Sequence, residues 1–185
     1  MGEAGDLVVL LGEDLRRVGT APRASVHDAS TPLHLAFSCY LFDRAGRLLL
    51  TRRALAKRTW PGVWTNSFCG HPRPRETLEA AVHRRARHEL GAEVRDVRCV
   101  LPEFRYRAVD SSGIVENELC PVFVATCTDH ADNLAPNADE VAEWRWISPD
   151  DLRAAVTAAP WALSPWLLEQ IEQLDRREGW QAGQR

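Results

Sequence analysis

The 185-residue chain predicts a single α/β (α+β) domain with a mixed sheet and helices packed on it. Three observations carry that expectation. Runs of strand character are spaced along most of the chain, one strongly amphipathic helix occupies residues 76–90, and two capped helix starts follow at Ser148 and Ser164. With 45% hydrophobic residues the chain can bury one good core, and no repeat or linker divides it.

Residues 7–11 read as a first strand, and 12–24 as a turn and connector. A long strand pattern covers 33–42, and the turn Asp43-Arg44-Ala45-Gly46 folds it back antiparallel onto 47–53. His34, Ala36 and Ser38 share one face of that first strand, with His27 in the loop before it. In the helix, Leu78, Val82, Ala86 and Leu90 recur every four residues with Ala81 beside them, and Gly91 supplies the stop. Arg85 and Glu89 sit close together on a different face, so a carboxylate looks away from the core.

Residues 93–101 and 104–109 read as strands, 110–113 as a turn, and 114–127 as a further long strand, irregular at Pro121. Glu116 and Glu118 point to one side of it and Asn117 to the other. The apolar flanks Ile114, Val115, Leu119, Val122 and Phe123 argue against an exposed edge. Two like charges on one face of a buried strand then require a cation. Residues 141–147 make a last strand. Ser148 caps a helix with Pro149 in its first turn, and Ser164-Pro165 opens another through about residue 177. Residues 1–30 are read as an N-terminal strand and connector packed on a catalytic domain at 31–178, and 179–185 as a frayed tail.

A net charge of −3 argues against a nucleic-acid partner. Basic residues still cluster locally, since Arg52, Arg53, Arg58 and Lys57, the chain's one lysine, fall within seven residues. That run fits a solvated edge or a phosphate site equally. The five cysteines (39, 69, 99, 120, 127) match neither a zinc ribbon nor a disulfide framework, which points to a reducing cytoplasm. The apolar run 7–11 is too short for a signal sequence or a membrane span, so no membrane partner is expected.

The chemistry concentrates in residues 64–91, WTNSFCGHPRPRETLEAAVHRRARHELG. A lone Cys69 after Phe68 would be a buried apolar thiol, but Gly70 permits close backbone approach and His71 offers a metal ligand or proton carrier. Distant in sequence, His27, His34, His71, Glu116 and Glu118 make a five-ligand set for a divalent ion. Mixed imidazole and carboxylate donors suit zinc, manganese or iron better than calcium.

The segments TPLHLAFSCYLFD, TRRALAKRTWPGVWTNSFCGHP, ARHELG, FRYRA, SGIVENELCPVF and PWALSPW together resemble the type I isopentenyl-diphosphate isomerases, a branch of the Nudix superfamily, over about residues 5–170. The resemblance implies a Nudix-like α/β/α sandwich that interconverts isopentenyl and dimethylallyl diphosphate by metal-dependent protonation and deprotonation. It implies Cys69 and Glu118 as the acid/base pair, with Tyr106 hydrogen-bonded nearby. The five-ligand set would hold one zinc or manganese ion, and Glu89 a magnesium ion that meets the diphosphate. Arg53, Lys57 and Arg85 match diphosphate-contacting positions. Arg23 stands where some relatives have lysine, and Trp161 would face the hydrocarbon end. The expected partner is a small prenyl diphosphate, and the expected assembly a monomer or weak homodimer.

Gly70, Glu76, Arg84, Glu89 and Gly91 keep the Nudix spacing, but Arg85 and His88 replace glutamates of the hydrolase pattern. Hydrolysis is therefore disfavoured. A diphosphate hydrolase and a catalytically silent metal- or diphosphate-binding module remain the alternatives.

Overall fold

Twelve strands and three α-helices are present in the computed structural model, which describes residues 6–128 and 133–177. The expected tail and the first five residues lie outside that range. In chain order the strands before the first helix are β1 (Leu7–Leu11), β2 (Arg17–Pro22), β3 (His34–Leu35), β4 (Phe37–Phe42), β5 (Leu48–Arg53), β6 (Trp64–Thr65) and β7 (Phe68–Gly70). After α1 (Leu78–Leu90) come β8 (Val94–Leu101), β9 (Arg105–Val109), β10 (Val115–Leu119), β11 (Val122–Cys127) and β12 (Val141–Ile147), then α2 (Pro149–Ala158) and α3 (Pro165–Leu174).

The strands form two mixed sheets. One runs β2-β1-β3-β10-β9; the other runs β12-β5-β4-β11-β8, with β6 on β5 and β7 on β4. Strand β4 is buried on both faces, which is why its sequence is apolar throughout except for the buried Ser38. Tyr40 and Phe42 pack with Trp166, Leu167 and Ile171 of α3, while Cys39 and Leu41 pack with Val82, Ala86 and Leu90 of α1. The second sheet is thus covered on both sides, an α/β/α sandwich.

A single sheet was expected, and two form because both long strands divide. The Ala36 N–H donates to the Leu119 carbonyl (2.9 Å) and the Ser38 N–H to the Pro121 carbonyl (3.1 Å), so the parallel pair β3/β10 hands over to β4/β11 across both breaks. Pro121 has no N–H to give, and the Cys120 N–H turns aside to the Phe104 carbonyl (2.8 Å). The two sheets fork there.

Residues 17–22, expected as connector, form β2. Nearly all of them are exposed, so no alternation marks the strand, and pairing with β1 alone defines it. Strands β6 and β7 are too short to carry a period. Helix α1 starts two residues later than expected because Thr77 caps it, its hydroxyl accepting from the Ala80 N–H. Gly91 closes it at φ 62°, as its position predicted. Among the described residues no helix is long and apolar enough to cross a membrane.

Candidate active site

A cavity of about 660 Å³ opens at the fork between the sheets, lined by β5, β6, β7, β9, β10, α1 and α3 and by the loop carrying His27. Its inner end holds four metal-ligating side chains. His27, His34, His71 and Glu118 each offer a donor atom within 4.8 Å of the others. The register places them, since His34 of β3 lies opposite Glu118 of β10 and His71 directly follows β7. His34 Nδ1 lies 2.9 Å from the Pro32 carbonyl and donates its proton there, so Nε2 is the nitrogen that faces the cluster.

Nε2 of His34 and Nε2 of His71 are 3.2 Å apart, close to the about 3.3 Å that two nitrogens span on a tetrahedral zinc. Glu118 Oε1 lies 3.3 Å from the first and 3.1 Å from the second. Imidazole and carboxylate donor atoms converging this closely suit a divalent cation. Burial lowers His71 to about 4, against the pull of Glu118, so its ring is neutral and ready to ligate. Burial works against a charged His34 too, but the Glu118 carboxylate outweighs it and raises the value. Burial opposes ionisation of Glu118 as well; hydrogen bonds from the three histidines hold it well below the usual carboxylate range.

Glu116, the fifth expected ligand, is not in this cluster. Its Oε1 accepts from Thr59 Oγ1 (2.6 Å) and its Oε2 from the Tyr106 hydroxyl (2.7 Å). The same hydroxyl is 3.0 Å from Glu118 Oε2, so Tyr106 ties the two carboxylates together, as their shared strand face predicts.

Cys69 sits on β7 opposite Ser38 of β4. Its sulfur is 3.4 Å from Ser38 Oγ and 3.3 Å from Asn66 Oδ1. Both neighbours are themselves fixed. Gln170 donates to Ser38 Oγ (2.9 Å), and Asn66 Oδ1 also accepts from Trp166 Nε1 (3.0 Å). Burial pushes the thiol up to about 12, and these hydrogen bonds pull it only part of the way back. The sulfur therefore carries its proton at neutral pH.

The outer end is charged. Arg85 of α1 gives Nε to Glu89 Oε1 (2.9 Å) and Nη2 to the same oxygen, and reaches Glu140 Oε1 at 3.1 Å. Lys57 pairs with the other oxygen of Glu140. Arg53 braces the carbonyls of Thr59 and Trp60 and lies 5.4 Å over the Trp166 ring. Arg23 sits at the rim, 3.4 Å from Asp6. Arg84 links Glu76 to the His71 carbonyl (3.0 Å), which orients the loop after β7.

Trp161 does not line the cavity. It lies in the one-turn helix Pro160–Ala162 and is 80% exposed, because that turn leads outward between α2 and α3. The aromatic wall is Trp166 with Tyr106, ring centroids 5.6 Å apart. Trp166 is one of seven tryptophans that the sequence offers as candidates for such a face, but nothing local singles it out over Trp161. Sequence reasoning passed over Asn66, Thr59 and Glu140, although Asn66 lies within the Cys-Gly-His stretch already singled out.

A NUDIX domain model matches residues 32–167. Isopentenyl-diphosphate Delta-isomerases from Agromyces mediolanus and Mycolicibacterium vanbaalenii are 60% and 58% identical to this chain; they cover 92% and 94% of it, over 82% and 93% of their own lengths. In structure the chain resembles a Deinococcus radiodurans protein at TM-score 0.68 and 21% identity, covering 91% of this chain and 98% of that one. A MutT NUDIX hydrolase from Burkholderia pseudomallei matches at TM-score 0.57 and 21% identity, over 77% and 98%. The hydrolase shares the fold, while the identity runs with the isomerases. The chain belongs to the NUDIX domain family, within the branch whose curated members are isopentenyl-diphosphate Delta-isomerases.

Proposed function

We propose that this chain interconverts isopentenyl and dimethylallyl diphosphate, with Cys69 and the Tyr106–Glu118 pair as the two proton-handling groups. The observation that carries the reading is the meeting of these groups in one cavity whose other end carries Arg53, Lys57 and Arg85. Environment pushes the two groups apart, the thiol holding its proton and the carboxylate losing its own. A turnover from that state moves a proton from Sγ to one end of the allylic unit and another from its far end to Glu118, leaving the diphosphate intact. The opposite distribution serves the reverse direction.

Protonating an unactivated alkene creates a tertiary carbocation, so the cavity has to exclude water and offer electrons without a nucleophile. The faces of Trp166 and Tyr106 do this, an aromatic face being worth about 2 kcal/mol or more to a desolvated cation. A zinc or manganese ion held by His27, His34, His71 and Glu118, with Glu116 beside them, would supply fixed positive charge that orients Glu118 and tunes its basicity.

Acidic and basic side chains line the cavity in nearly equal number, so a diphosphate entering alone meets little net positive charge. Magnesium at Glu89 would supply the difference, with Arg23, Arg53, Lys57 and Arg85 around the diphosphate. The five cysteines are all free, which supports a reducing, cytoplasmic setting.

Cys69→Ala in the metal-loaded protein tests the assignment. Turnover falls by about 10²–10⁴, the usual worth of a positioned acid or base, with metal content and melting temperature unchanged. Near-normal turnover removes Cys69 from the mechanism.

A further inference from the structure

Glu140 has no part in the proton chemistry, yet it is 8% exposed and lines the same cavity. Its backbone is fixed from two sides. The Asn137 N–H donates to the Glu89 carbonyl at the end of α1, and the Ala54 N–H after β5 donates to the Glu140 carbonyl (3.0 Å). Its carboxylate then collects cations from those same two places. Lys57 comes from the loop after β5, and Arg85 from α1 with Nη2 at 3.1 Å; His88 Nε2 stands 3.6 Å off. Burial works against the charge, but Lys57 and Arg85 hold the carboxyl down to about 2.

We propose that Glu140 is a positioning residue of the diphosphate end, whose carboxylate fixes the Lys57 ammonium beside the Arg85 guanidinium so that the two cations form one preformed seat. The inference rests on the reading of Lys57 and Arg85 as diphosphate contacts. The two cations differ in their support. Arg85 is also held by Glu89, whereas Glu140 is the one ion-pair partner of Lys57 among the described residues. Lys57 sits on a flexible four-carbon stem that regains its rotamers once unpaired. Because the carboxylate is already shared between two cations, its loss removes more order than repulsion.

The test is binding of inorganic pyrophosphate with magnesium to the full zinc-loaded chain by calorimetry, for Lys57→Ala, Glu140→Gln, Glu140→Asp and the double variant of the first two. Glu140→Gln keeps the shape and the backbone anchors. It weakens binding by about fivefold, the scale of ordering one long side chain, and raises KM for isopentenyl diphosphate equally, with a smaller change in kcat. Glu140→Asp weakens binding less, and the double variant binds no worse than Lys57→Ala.

Wild-type or tighter binding by Glu140→Gln, or additive losses in the double variant, overturns the proposal and leaves the diphosphate reading standing if Lys57→Ala binds weakly. Unweakened binding by Lys57→Ala overturns that reading and the inference with it. Should Glu140→Gln not fold, Glu140→Asp decides, and undiminished binding there also overturns the proposal.

Discussion

Three imidazoles and one carboxylate oxygen meet at the inner end of the cavity, with Nε2 of His27, His34 and His71 at 4.0, 3.3 and 3.1 Å from Glu118 Oε1. Without a metal, the His34–Glu118 pair keeps a proton that His71 has given up. A metal ion has to displace that proton, since it takes the same lone pair. His34 is raised above its ordinary 6.5, so uptake near neutral pH releases a proton and affinity falls as pH drops. Zinc or manganese titrated at pH 7.5 and pH 5.5 is expected to bind about tenfold more weakly per pH unit on the acid side, as displacement of one proton requires. Affinity independent of pH would contradict the assignment. The ligand types were legible in the sequence because each is chemically unusual where it stands. Glu140 and Thr59 were not legible. The contacts that give them a place in the site come from residues at least 55 positions away, Glu140 with Arg85 and Lys57, and Thr59 with Glu116.

Strand β7 and helix α1 set the outer geometry between them. A Cβ on Gly70 would stand 2.7 Å from Cγ of Arg85, a side chain pinned by Glu89 and Glu140. Gly70→Ala is expected to cost about 1–3 kcal/mol, as overpacking does. That lowers the melting temperature by about 2–4 °C per kcal/mol. It also displaces Arg85, so pyrophosphate binds more weakly while metal content is retained. Unchanged stability and pyrophosphate binding would show that Arg85 has room to yield. The amphipathic α1 could be read from its periodicity and the doubly buried β4 from its mostly apolar run. Strand β2 is exposed and β7 has three residues, so pairing alone defines them. The break at Pro121 was visible as an irregularity, but that β3 and β4 part at Ala36 follows from the partner strand.

At the scale of the molecule, the fork between the two sheets creates the site. A single continuous sheet would have closed the gap that Glu118 and Cys69 both line. The α/β class with a mixed sheet was legible because the strand runs and one clear helix stripe suffice for it; the sandwich layering came with the family resemblance. The second sheet was not, since it depends on where two parallel strands exchange neighbours. The cavity holds proton-handling groups at one end and balanced charges at the other, which suits a small apolar substrate anchored by a distant diphosphate. Arg85 and His88 stand on α1, and the family resemblance places glutamates of the hydrolase pattern at those positions. Proton and phosphorus NMR of the metal-loaded protein with isopentenyl diphosphate in heavy water tests this most directly. The account predicts the dimethylallyl isomer, deuterium in its new methyl group and an intact diphosphate. Phosphate release without isomer, or bound metal with no conversion, would contradict it.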